Sequence, residues 1–324
     1  MKVLTIEHPR DVDSQSFANA SMPLHLASHN GHGDLAQMLI ECGADVSAQK
    51  KNGSTALHLA SEDGHVDLAW MLVECGADVS AQEKDRSTAL HLASCNGHLN
   101  LARMLVERGA DVLAQEEDGS TALHLASCYD HVDLAQMLVE CGADVSAQAK
   151  DGSTALHLAS CNGHVGLARM LVERGTDMSA QEEDGSTALH WASCYGHVDL
   201  AWMLVEHGAD VSAQEKDGST ALHLASRYGH VDLARMLVEH SADVSAQEED
   251  GSIVLHLASR YGHVDLARML VERSADMSAQ KKDGLTALHL ASFYDHVDLA
   301  RMLVEHGADM SPQPSPQITT YSMC

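Results

Sequence analysis

The sequence predicts an all-α solenoid of nine stacked helix-turn-helix repeats with projecting β-turn fingers. Three observations carry this. His25 recurs as His58, His91, His124, His157, His190, His223, His256 and His289, each step being 33 residues. A second histidine follows seven residues later in every copy, from His32 through His65 to His296. Each copy also holds two short runs with helical apolar spacing, parted by turn residues. Self-similarity at a period of about 20–50 residues marks arrays whose copies pack only on their neighbours.

Residues 52–84 illustrate each element. Asn52-Gly53 is a turn dipeptide. Ser54 or Thr55 can cap the following helix by accepting a free backbone N–H. Ala56, Leu57, Leu59 and Ala60 make a short apolar helix, which Asp63-Gly64 ends. A second helix is predicted from Val66 to Glu74, with Leu68, Ala69, Leu72 and Val73 on one buried face. Gly76 supplies the left-handed residue that closes many helices. Ala77 to Lys84 form a polar loop into the next turn. Helices shorter than about 12 residues are marginal alone in water, so each pair must bury its apolar face on the next pair.

Gly53, Thr55, Leu57-His58-Leu59-Ala60, Gly64-His65, Leu72 and Gly76-Ala77-Asp78 together resemble the ankyrin repeat. The resemblance spans residues 19–313, with a short lead at 1–18 and a Pro/Ser-containing tail at 314–324. Two departures are systematic. The proline usual before Leu-His survives only as Pro23, and serine, as at Ser80, replaces the usual loop asparagine. The resemblance implies a hairpin-like finger at each turn, a concave face built from fingers and first helices, and paired histidines that tie turns to helices.

Several copies break the pattern. Ser241 and Ser274 replace the closing glycine, Arg86 a turn glycine, and Asp130 and Asp295 the glycine after the first helix. A left-handed backbone at a non-glycine residue costs about 1 kcal/mol. Ile253-Val254 replaces Thr-Ala, which leaves Ser252 as the expected cap. Trp191 replaces a core leucine. No dedicated polar capping repeat is visible at either end. That leaves two readings open, a piece of a longer array or ends covered by a partner.

The composition narrows function. With 47 acidic and 20 basic residues the formal charge is −27, which disfavours nucleic acid and anionic membranes and favours a basic protein partner. No stretch has the length of a signal peptide's apolar core or of a membrane span. Cys324 is the last residue, which excludes a prenylation motif. Seven of the eight cysteines fall at two repeat positions. Equivalent positions of stacked helices stand roughly 8–10 Å apart, too far for a disulfide. Reduced thiols in a cytoplasmic or nuclear protein are therefore expected. No phosphate loop, zinc spacing or nucleophile elbow is present, so no enzyme activity, cofactor or metal is predicted.

The informative positions are those that vary while the frame holds. The two residues after each Leu-Ala-Ser include Tyr129, Tyr195, Arg227-Tyr228, Arg260-Tyr261 and Phe293-Tyr294. In ankyrin repeats these positions end the first helix and face the groove. Five of the six tyrosines lie here, and Tyr and Arg are enriched in binding hot spots. The sequence thus predicts a protein-interaction scaffold or adaptor that uses this strip, chiefly Tyr195 to Tyr294. The alternative is a regulatory or accessory subunit of an enzyme pathway or transcription complex. Duplication of a two-repeat block, visible in the alternating Cys-Asn and Cys-Tyr pairs, is the competing origin of the ladder.

Overall fold

The computed structural model describes residues 22–310. The lead (1–18), the tail (314–324) and the outermost residues of the predicted array lie outside the described residues. Eighteen helices follow in pairs. In a first compact unit, ending at Lys150, the pairs are α1 (Met22–His29) and α2 (Gly33–Glu41), α3 (Ala56–Glu62) and α4 (Val66–Glu74), α5 (Ala89–Cys95) and α6 (Leu99–Glu107), and α7 (Ala122–Cys128) and α8 (Val132–Glu140). In a second, starting at Asp151, they are α9 (Ala155–Asn162) and α10 (Val165–Glu173), α11 (Ala188–Tyr195) and α12 (Val198–Glu206), α13 (Ala221–Tyr228) and α14 (Val231–Glu239), α15 (Val254–Tyr261) and α16 (Val264–Glu272), and α17 (Ala287–Phe293) and α18 (Val297–Glu305). Within each unit every first helix packs on the next first helix and on its own second helix.

Local chemistry explains the repeat. Thr55 is the N-cap of α3: its hydroxyl accepts the His58 backbone N–H at 3.4 Å. The His58 ring answers by accepting the Thr55 N–H at Nδ1, 3.2 Å away. Buried Ala56, Leu57, Leu59 and Ala60 face buried Leu68, Ala69 and Leu72 of α4. Val73 is only half-buried, at the margin of the predicted stripe. Gly76 closes α4 at φ +95°, with the Ala77 N–H on the Leu72 carbonyl at 2.9 Å.

The fingers are tight turns rather than strands. The Gly53 N–H donates to the Lys50 carbonyl at 2.9 Å and the Lys50 N–H to the Ser54 carbonyl at 2.7 Å. Successive fingers join through bonds such as Lys84 N–H to the Asn52 carbonyl at 2.8 Å and, in the second unit, Lys282 N–H to the Asp250 carbonyl at 2.9 Å. The only bridge pairing among the described residues is Gln214 with Thr220.

The irregular copies keep the frame. Ser241 (φ +72°), Ser274 (+69°), Arg86 (+70°), Asp130 (+61°) and Asp295 (+58°) all hold the left-handed backbone of the glycines they replace. At α15 the expected cap on Ser252 does not form. Ile253 keeps the N-cap position. It has no side-chain acceptor, so the His256 N–H turns to the Ile253 carbonyl at 2.9 Å, while His256 Nδ1 still accepts the Ile253 N–H at 3.0 Å.

Candidate functional site

The site is built where first helices end. In the second unit α11, α13 and α15 finish on Tyr195, Tyr228 and Tyr261, and left-handed Gly196, Gly229 and Gly262 turn the chain sharply away. α17 stops at Phe293, with Tyr294 as its C-cap. The turn leaves the tyrosines 52%, 51%, 45% and 41% exposed in chain order, and Phe293 75% exposed.

These rings rest on fixed supports. Each tyrosine stacks on the histidine two residues later: Tyr195 on His197, Tyr228 on His230, Tyr261 on His263 and Tyr294 on His296, with centroids 6.1–6.4 Å apart. Those histidines are held in turn. Nε2 of His197, His230 and His263 lies 3.1 Å from the carbonyls of Cys161, Cys194 and Arg227, and that of His296 lies 3.0 Å from Arg260. The acceptors are carbonyls at first-helix ends, where no intrahelical donor remains. In these four repeats the second histidine is therefore a strut between repeats that also floors the tyrosine.

The residue after each Leu-Ala-Ser or Trp-Ala-Ser sets the chemistry beneath the strip. Cys161 and Cys194 lie beside the hydroxyls of Tyr195 and Tyr228 of the following repeat. Burial pushes both thiols up, and the thiol alongside raises each phenol in turn. Arg227 is not a free contact: its guanidinium donates to Glu248 at 2.6 Å, and Glu248 also accepts the Ser219 hydroxyl at 2.7 Å. Arg260 lies 5.7 Å from the Tyr261 ring centre and 5.8 Å from that of Tyr294. Phe293 meets Tyr294 edge-on at 5.0 Å.

Opposite the helix ends stand the first residues of the fingers. Burial raises Glu215, which the Ser186 hydroxyl partly offsets from 2.8 Å. Burial raises Glu182 to about 7, helped by the charges of Asp151, Asp184 and Glu215. At Asp250 burial is outweighed by hydrogen bonds from Lys281 and Ser252 and by the Lys281 charge, which hold the carboxyl down at about 2. A groove of about 560 Å³ opens here, lined by Arg227, Glu248, Leu257, Arg260, Lys281 and Leu290 among others.

The structure thus brings Tyr195, Tyr228, Tyr261, Phe293 and Tyr294 into one ladder and places Arg260 within it. Tyr129 sits in the first unit, 55% exposed and stacked on His131 at 6.3 Å. Its hydroxyl meets Cys95. Trp191, predicted as core, is half-buried instead and stacks on Tyr195 at 6.0 Å, extending the ladder. The signal was its place one helical turn before Tyr195. Glu248 and Asp250 were also missed, because their partners stand 21 and 31 positions away along the chain.

Among the described residues none of the seven cysteines forms a disulfide, and no cluster of three or more His, Cys, Asp or Glu side chains could hold a metal ion. No helix among them is long and apolar enough to cross a membrane. A family model described as ankyrin repeats (3 copies) matches residues 1–83, 76–149, 108–182, 141–215, 175–248, 209–281 and 242–313. No curated protein matches the chain.

Proposed function

The chain belongs to the ankyrin-repeat family, whose arrays generally serve as protein–protein interaction modules, and from that premise we propose that it is a non-enzymatic scaffold or adaptor. Its partner is a protein, held on the face made by first-helix ends and fingers, with the contact centred on Tyr195, Tyr228, Tyr261 and Tyr294. It acts in the cytoplasm or nucleus, a reading supported by its thiols, which form no disulfide among the described residues. One observation carries the assignment of the face. Four half-exposed tyrosines stand in register, each stacked on a histidine that is pinned by a backbone bond. Rings already held in place lose little conformational freedom when a partner covers them, so more of the contact energy reaches the affinity.

The test is affinity capture from an extract of the native cells. The baits are the wild-type chain, a variant with all four tyrosines changed to alanine, and a Tyr129→Ala control, at equal helicity. A partner kept by the wild type and the control but lost from the four-tyrosine variant supports the reading. The same partners on all three baits would overturn it and move the contact to the acidic exterior or the finger tips. Salt separates these sources: attraction to the −27 surface weakens steeply as ionic strength rises, whereas contact with stacked rings does not.

A further inference from the structure

The last step of the groove carries a charge mismatch. One repeat earlier the arrangement is complementary, with Arg227 at the helix end and Glu248 on the finger, 2.6 Å apart. At the next step both sides are cationic. Arg260 ends α15, and Lys281 stands on the finger where Glu182, Glu215 and Glu248 occupy the equivalent places. Lys281 turns to Asp250, 2.8 Å away, and its side chain is only 9% exposed. That engages the Asp250 carboxylate with Lys281. Arg260 makes no ion pair among the described residues, although it lines the same groove.

Arg260 is nonetheless held in position. Its guanidinium lies within 6 Å of the rings of Tyr261 and Tyr294, contacts that favour the cation electrostatically and restrict its orientation. A guanidinium offers five N–H donors in a planar fork matched to a carboxylate. Leu257 and Leu290 provide apolar lining and Lys282 a further positive charge, while the groove's own carboxylates are Asp217, Glu248, Glu249 and Asp250, of which Glu248 and Asp250 are paired with Arg227 and Lys281. Phe293 and Tyr294 flank the step as exposed rings. The rest of the chain sets a limit. A formal charge of −27 repels an acidic run or a polyphosphate, so the fitting group is a lone carboxylate beside apolar or aromatic neighbours.

We propose that Arg260 docks a single carboxylate of a partner peptide, with the flanking peptide side chains packing on Tyr261, Phe293 and Tyr294. The carboxylate is an aspartate or glutamate side chain or a chain terminus. This rests on the reading of the tyrosine strip as a protein-binding face, and it names the chemistry recognised at one end of that face.

The full chain is used to select random peptides, displayed both internally and with free C-termini. Peptides enriched on the wild type are then synthesised and measured against Arg260→Gln and the four-tyrosine variant. The expected winners carry one acidic position, or a free terminus, next to an apolar or aromatic residue. Their affinity falls roughly tenfold or more on Arg260→Gln. It falls similarly when the peptide's Asp or Glu becomes Asn or Gln, or when its C-terminus is amidated, and the two changes together cost no more than either alone. Which peptide change matters separates a side-chain source from a terminal one. Winners lost with the four-tyrosine variant but indifferent to Arg260→Gln would overturn the carboxylate site and leave the strip standing. Winners indifferent to both variants, or no winners at all, would overturn both.

Discussion

Nε2 of His58 donates to the carbonyl of Ser87, 29 residues further along the chain, at 3.3 Å. His25 reaches Ser54 and His157 reaches Ser186 in the same way, while His91 and His256 choose Ala114 and Ala279 instead. Since Nδ1 of His58 accepts the Thr55 N–H, the proton sits on Nε2 and the ring is neutral. Protonation at Nδ1 would set two donors against each other in a buried site.

Burial lowers the pKa of His58, His91, His157, His190, His223 and His256. With folded values below unfolded ones, the unfolded chain takes up protons first. This stability is complete above about pH 6.5 and is lost as pH falls towards the folded values. Glu83, Glu116, Glu182 and Glu215 act in the opposite sense, because burial raises them and the folded state protonates first. The histidine contribution to the urea midpoint should fall away below about pH 6.5, so removing one opposing carboxylate with Glu182→Gln should make the midpoint drop more steeply between about pH 6.5 and pH 5. Nitrogen NMR at about pH 6 should show the six rings as neutral Nε2–H tautomers. An imidazolium among them at that pH would contradict the assignment.

Glycines with similar backbones should differ sharply in tolerance. Gly208 (φ +97°) has nothing within 4 Å of an added Cβ, whereas at Gly229 (φ +78°) that atom would sit 2.6 Å from Nδ1 of His263. Gly208→Ala should cost about 1 kcal/mol of backbone strain. Gly229→Ala adds a collision with a ring tied to the Arg227 carbonyl, for a total of about 2–4 kcal/mol. Equal urea midpoints for the two variants would disprove this reading of the histidine strut.

The buried serine of an internal Leu-Ala-Ser is a site for gain. Ser226 is fully buried and its hydroxyl has no hydrogen-bond partner among the described residues. Ser292, its counterpart in the last described repeat, is exposed and donates to the Leu288 carbonyl at 2.8 Å. Ser226→Ala should therefore stabilise the chain by about 1 kcal/mol by removing an unsatisfied hydroxyl. Ser292→Ala should change little. A loss of stability in Ser226→Ala would show that the hydroxyl is satisfied after all.

The eighth repeat combines left-handed Ser274 with an N-cap that lacks an acceptor, Ile253. Its amides in α15 and α16 should exchange faster than those of α11 and α12. Ser274→Gly and Ile253→Thr should each slow that exchange, with gains of about 1 kcal/mol for the backbone and about 0.5–1 kcal/mol for the cap. Protection equal to that of α11 and α12 in the unaltered chain would refute the prediction.

Two ion pairs should differ through burial. Arg227 and Glu248 are 27% and 9% exposed along their side chains, against 64% and 81% for Arg301 and Asp298. Double-mutant cycles should give a coupling of about 1–2 kcal/mol for the first and under about 0.5 kcal/mol for the second. Equal couplings would mean that Arg227 is not engaged as described.

The repeat and its apolar spacing placed α4 at about Val66–Glu74, where it lies, and the missing glycines located all five left-handed non-glycine residues among the described residues, because both follow from local backbone chemistry. Ile253 defied the cap argument: a backbone carbonyl substituted for the absent hydroxyl. The site was legible as a row of tyrosines but not as a set of partnerships. Arg227 and Glu248 stand 21 positions apart and meet only because a finger folds back over a helix end. Trp191 took a leucine's place at a position that the stack covers only partly.

The histidine bonds reach 29 residues forward or 36 back, into an adjacent copy of the same motif. Removing residues 198–230 would join His197 to Val231 and restore the His-Val junction found at His230-Val231. Every ring would again find a carbonyl of the kind it lost, one copy nearer. In the gene this is an in-frame deletion of 33 codons between near-identical stretches, the event that misaligned recombination produces. A chain shortened by one whole step would keep every kind of bond that joins its copies.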